Sequence, residues 1–191
     1  MKLHIVIAST REERIGPRVA EWFMERAKEH GGFELRLVDL KEVNLPLLDE
    51  PHHPRLRQYQ HAHTKAWSAI VEAADAFVFV LPEYNYGMPP AFLNALDYVY
   101  AEWNYKPAGF VSYGGASGGM RSASMARQML PPVRMMPLPE AVAIPFFRNF
   151  MDAEGRFNGD ETQAKSAALM LDELVRWATA LAPLRAKRGG G

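Results

Sequence analysis

Three short runs hold the residues best suited to chemistry. The first, "STREERIG" (9–16), sets the hydroxyls of Ser9 and Thr10 beside Arg11 and Arg14, then Ile15 and Gly16. Pro17 follows, and proline suits a first helical turn, where its missing N–H is not needed. Hydroxyls, free backbone N–H groups, arginine forks and the positive end of a helix together make an anion site, with phosphate the natural ligand. The bland alternative is a solvated, charged turn capped by a hydroxyl. The second run, "PEYNYGMPP" (82–90), puts Pro82, Glu83, Tyr84, Asn85 and Tyr86 ahead of a glycine and two prolines. A simple turn needs no aromatic rings. The tyrosines suit the wall of a flat ligand, or else a surface turn beside a subunit seam. The third run, "SYGGASGG" (112–119), offers Ser112, Tyr113, Gly114, Gly115 and Ser117. Its glycines let a backbone approach a ligand closely and present N–H groups.

Rival chemistries are limited by what is missing. There is no cysteine, so disulfides, thiolate nucleophiles and Cys-ligated metals are excluded. Gly115–Gly119 matches G-x-S-x-G, the nucleophile elbow of serine hydrolases, but all six histidines precede Ser117, against the chain order of that elbow. His52, His53, His61 and His63 cluster in sequence, yet no carboxylate or Cys pattern completes a known metal site. Neither G-x-G-x-x-G nor G-x-x-x-x-G-K-[ST] is present, which lowers a Rossmann NAD site and an NTPase. A hydroxyl-rich phosphate loop without glycine repeats is the flavin mononucleotide (FMN) solution of the doubly wound fold.

The elements around the runs alternate. Apolar strands are expected at 3–8, 33–40, 76–81, 108–113 and 140–146. Helices are expected at about 17–30, 59–74, 90–103, from 118 to 130, and 161–181, with Trp22, Phe23 and Ala27 on one face of the first. The Pro-rich stretch 41–58 reads as a loop. Five such units imply a parallel sheet covered on both faces. Ligands of such sheets bind outside the carboxyl ends of the strands, and the three runs follow the first, third and fourth strands. The helix at 90–103 is apolar on more than one face, which fits either a buried core helix or a subunit seam.

Composition agrees with a folded domain. The 191 residues are 48% hydrophobic and 23% charged. Lys+Arg and Asp+Glu both number 22, so nothing suggests nucleic acid or a membrane surface as partner. No signal-peptide pattern or membrane-length apolar run is present, and a cytoplasmic location is expected. One domain is expected over 1–183, with a frayed basic tail at 184–191.

"STREERIG", "HTKAWSAIVEAADAFVFV" and "PEYNYGMPPAFLNALDYVYAEWNYKPAGFVSYGGASGG" together resemble the NADPH-dependent FMN reductase family over residues 3–130. The resemblance implies a flavodoxin-like three-layer sandwich with a five-stranded parallel sheet in order 2-1-3-4-5. It implies that Ser9, Arg11, Arg14, Ile15 and Gly16 hold the FMN phosphate. Pro82–Tyr86 would flank the isoalloxazine, and 112–117 would meet its pyrimidine edge. It further implies hydride transfer from NADPH or NADH, through FMN, to a small acceptor such as a quinone, free flavin, an azo dye or a metal oxyanion. No side-chain acid or base is required, and the subunits pair as a homodimer or tetramer. The chain departs from the pattern at Ala8, where many members have Gly, and at Arg14, where many have Ser; the latter keeps a phosphate donor with a different geometry. An electron carrier or a flavin-free binding module on the same fold are the alternatives. Arg121 and Arg148 are candidates for a nicotinamide 2′-phosphate contact.

Overall fold

The structure is a computed structural model and describes residues 1–186. Five strands form one parallel sheet: β1 (Lys2–Ile7), β2 (Glu34–Asp39), β3 (Ala76–Pro82), β4 (Pro107–Tyr113) and β5 (Met136–Ile144). Their order is β2-β1-β3-β4-β5. The helices are α1 (Gly16–His30), α2 (Leu40–Val43), α3 (Ala62–Glu72), α4 (Pro90–Asp97), α5 (Met120–Met129) and α6 (Glu161–Ala186). This is the flavodoxin-like fold with the expected strand order.

Strand β3 shows why the sequence folds this way. All seven of its residues are buried, because helices cover both faces of the sheet there. Alternate side chains point to opposite faces. Phe77, Phe79 and Leu81 join a core with Trp67 of α3, Phe92 and Leu96 of α4, and Trp103. Val78 and Val80 join the other core, with Phe23 of α1 and Leu171 of α6. The first core is aromatic. The rings of Phe77 and Phe79 stack at 5.6 Å, and Trp103 lies 5.0 Å from Phe77. Both buried indoles are satisfied: Trp67 Nε1 donates to Ala95 O at 2.8 Å and Trp103 Nε1 to Leu96 O at 3.1 Å.

Several expected boundaries move, each for a visible reason. The helix expected to reach residue 103 ends at Asp97. Beyond it, Tyr98 turns inward to donate to Pro46 O and Asp49 Oδ1, and a 3-10 turn at Ala101–Trp103 delivers Trp103 to the core. Phe92, Leu96, Tyr98, Val99 and Trp103 are therefore all buried within the chain. The apolar character of this stretch needs no second subunit. Strand β5 begins at Met136, four residues before expectation, because Pro137 and Pro139 disguise it. It is an edge strand, where a missing N–H is tolerated. The loop expected at 41–58 contains most of α2 and a 3-10 turn at Pro54–Leu56. Helix α6 extends through Ala186, so residues 184–186 of the expected frayed tail are helical. The remainder of that tail lies outside the described residues. Among the described residues no helix is long and apolar enough to cross a membrane.

Candidate flavin site

The loops after β1, β3 and β4 meet at the carboxyl edge of the sheet, as the fold requires. With the turn after β5 they enclose a cleft of about 260 Å³. Arg11, Arg14 and Ile15 line one end. Pro82, Glu83 and Tyr84 form one wall, and Tyr113, Gly114 and Gly115 another. A larger hollow of about 410 Å³ lies beside Thr10, Lys41, Asn44 and Pro90. It lacks the arginines and the glycine-loop backbone, so the smaller cleft is the one equipped for an anionic ligand.

Tyr113, the last residue of β4, is 4% exposed where it lines the cleft. Its hydroxyl reaches Ser9 Oγ at 3.4 Å, and burial holds the phenol protonated well above its ordinary range. Ser9 itself is fully buried beneath the first loop. Gly16 closes over it: a Cβ there would sit 2.4 Å from Ser9 Oγ and 3.1 Å from Tyr113 Oη. Gly16 starts α1, whose N-terminus has no side-chain cap and no acidic residue in its first turn. The first turn of α1 thus carries no anionic group of its own, and the Arg18 and Val19 N–H groups both donate to Ile15 O. Arg11 is exposed, 5.9 Å from the centroid of the Tyr84 ring. Burial also raises the Tyr84 phenol, against the opposing charge of Arg11.

Arg14 is placed differently. Its guanidinium forks onto the Asp39 carboxylate and donates to Ser9 O at 2.8 Å, so it is already engaged inside the protein.

The second loop divides into two parts. Tyr84 and Gly87 exchange two backbone hydrogen bonds, closing a two-residue turn on Asn85 and Tyr86, both at positive φ (+49° and +68°). Tyr84 thereby faces the cleft while Asn85 and Tyr86 point away from it, Tyr86 69% exposed. The Arg121 guanidinium covers the Tyr86 ring at 4.0 Å and donates to Glu83 Oε1 at 2.8 Å. Ser117 Oγ donates to Glu83 Oε2 at 2.8 Å. Burial opposes ionisation of Glu83, but the Arg121 and Ser117 bonds outweigh it and hold its carboxyl below the usual range. Glu83 is the strut that ties the second loop to the third.

Of the sequence-derived residues, Ser9, Gly16, Asn85, Tyr86, Ser112 and Ser117 do not line the cleft, Ser9 and Gly16 being buried behind it. Ser112 belongs to β4 and donates to Gly118 O at 2.9 Å. Ser117 is bonded to a carboxylate rather than an imidazole, which argues against the nucleophile elbow. Two lining residues, Glu13 and Phe147, carried no expectation, and Arg148 was expected only toward a nicotinamide 2′-phosphate. Phe147 packs edge-on to Tyr113 at 5.9 Å, and Arg148 stands at the mouth. They follow β5, whose loop carries no motif. Among the histidines, the rings of His61 and His63 stack at 5.1 Å and His63 bonds Asp49 at 2.9 Å. No group of three or more His, Asp or Glu is arranged to hold a metal ion among the described residues.

The cleft sits outside the carboxyl ends of the strands, where doubly wound sheets receive their ligands. Residues 1–149 match the NADPH-dependent FMN reductase family, and the chain belongs to it. It is 43% identical over 120 residues to an NAD(P)H-dependent FMN reductase of Schizosaccharomyces pombe, covering 62% of this chain and 60% of that protein. It is 35% identical over 147 residues to one of Saccharomyces cerevisiae (71% and 76%). A quinone reductase of Pseudomonas putida is 30% identical over 184 residues (91% and 92%). The structure of a flavoenzyme NAD(P)H:(acceptor) oxidoreductase of Paracoccus denitrificans superposes with a TM-score of 0.71 at 22% identity, covering 94% of this chain and 97% of that one.

Proposed function

We propose that this member of the family works as an NAD(P)H-dependent FMN or quinone reductase through the cleft at the carboxyl edge of the sheet. The observation that carries the reading is the convergence of a cationic, uncapped helix end with tyrosine and glycine-loop walls in one cleft. The donor set fits FMN: arginine and free N–H groups suit its phosphate, and flat aromatic and glycine-backbone walls suit its ring. FMN, when bound, supplies the hydride-accepting and electron-donating chemistry.

The residues of the chain bind and orient. Arg11 meets the phosphate as a charged donor, together with the N-terminus of α1. Tyr84 and Phe147 exclude water from the ring site. The Gly114 N–H is taken by Ile144 O, but Gly115 exposes its backbone, and nothing lies within 4 Å of a Cβ built on it. An N–H donor there can stabilise negative charge on a reduced ring. Arg121 is engaged with Glu83 and Tyr86, whereas Arg148 pairs with no carboxylate among the described residues. Arg148 is therefore the better placed of the two for a nicotinamide dinucleotide phosphate.

A homodimer remains our reading of the assembly. Its support lies in two exposed leucines of the 41–58 stretch, Leu47 (82%) and Leu56 (59%), and not in the helix itself. The test of function is direct. Purified protein is yellow, NADPH under argon bleaches it, and a quinone restores the colour. Failure to bleach removes the reductase reading in favour of a carrier.

A further inference from the structure

Arg14 and Asp39 lie 25 positions apart in the chain and share one function. Asp39 ends β2, where it pairs in register with Ile7 at the end of β1. Its carboxylate takes the whole fork of Arg14, Nη1 at 2.8 Å on Oδ1 and Nη2 on Oδ2. Both side chains are largely buried, at 12% and 17% exposure. Oδ1 also accepts from Lys41 N at 3.0 Å, which fixes the carboxylate from the far side. The same Nη1 of Arg14 donates to Ser9 O at 2.8 Å.

Two consequences follow from elementary chemistry. A trans peptide holds its C=O and N–H on opposite sides. Anchoring Ser9 O on Arg14 therefore turns the Thr10 N–H away from Asp39 and keeps a carbonyl dipole from rotating toward the anion site. Second, the Asp39 charge cancels that of Arg14, and a buried bidentate pair is not readily surrendered. The cation of the loop without a carboxylate partner among the described residues is Arg11, which is exposed above the Tyr84 ring.

We infer that Asp39 and Arg14 form a positioning unit that holds the loop 9–15 in its phosphate-receiving shape, and that Arg14 is not itself a phosphate ligand. This rests on the flavin reading above. Its test is a titration of the full-length, flavin-stripped protein with FMN and, separately, with riboflavin, which has the same ring and no phosphate. Asp39→Asn, which keeps the volume and an oxygen for Lys41 N, weakens FMN about tenfold, the scale of one charge-assisted contact, and leaves riboflavin within about twofold. Arg14→Lys does the same, because a point charge cannot reproduce the fork. The double variant is no weaker than the worse single one, as two halves of one unit require.

A direct phosphate ligand gives the opposite pattern: Asp39→Asn leaves FMN binding unchanged or tighter, or Arg14→Lys retains it. Either result overturns the inference. So does a parallel loss of riboflavin affinity, which would assign the pair to the fold at large. Unmodified protein that binds neither flavin fails the flavin reading itself, whereas normal FMN binding with an insensitive Asp39 variant fails the positioning unit alone.

Discussion

Each side chain of the cleft is set by what already occupies its neighbours. Arg11 and Arg14 look equivalent in the sequence, three positions apart on one loop. The structure separates them, because Asp39 sits within reach of only one. No local signal announces that pair, since it depends on β2 lying beside β1. Arg11→Ala is expected to weaken FMN retention about tenfold, a loss matching one charge-assisted hydrogen bond, read as flavin content after dialysis. Full flavin content in the variant contradicts the role. Arg148→Ala is expected to raise KM for NADPH about tenfold with little change for NADH, which an assay with both reductants decides. Tyr84 and Tyr86 also looked alike. The two-residue turn, with its left-handed Asn85 and Tyr86, sends one ring to the cleft and the other to Arg121.

At the level of elements, strands β1, β3 and β4 were legible because burial on both faces leaves continuous apolar runs. Strand β5 was less so, because its prolines are tolerated only by an edge that the sequence does not reveal. The cleft depends on the tight seating of the first residue of α1 against Ser9 and the Tyr113 hydroxyl. Gly16→Ala places a methyl carbon 2.4 Å from Ser9 Oγ, a short and buried group with nowhere to retreat. That variant is expected to lose FMN affinity more than fold stability, measured by titration beside thermal melting; unchanged affinity contradicts the packing argument. On β1, His4 is 1% exposed, with its ring edge-on to Phe77 at 5.9 Å. Burial first, then the nearby cations Arg36, Lys106 and Lys2, lower its pKa to about 4. The unfolded chain binds this proton at about 6.5, so stability is complete above that pH and declines as pH falls toward 4. The loss is on the order of 3 kcal/mol. Replacing His4 with Leu is expected to flatten denaturant midpoints across that window, and an unaltered slope would assign the acid sensitivity elsewhere.

For the molecule as a whole, a parallel α/β sheet was readable from alternation, and its strand order from the family resemblance that the three carboxyl-end loops carry. The assembly was not. An apolar helix signals burial without saying what buries it, and here the chain's own aromatic core takes Phe92, Leu96 and Trp103. Leu47→Asp with Leu56→Asp is expected to shift a dimer to monomer in sedimentation velocity, while unaltered sedimentation removes those leucines from any seam. The central claim is that the cleft holds FMN and passes reducing equivalents from a nicotinamide to a small acceptor. Its most direct test is the visible spectrum of the purified protein during anaerobic addition of NADPH and then a quinone. The account predicts a flavin band that bleaches and returns; a colourless protein that takes up no added FMN, or a flavin band indifferent to NADPH, would contradict it.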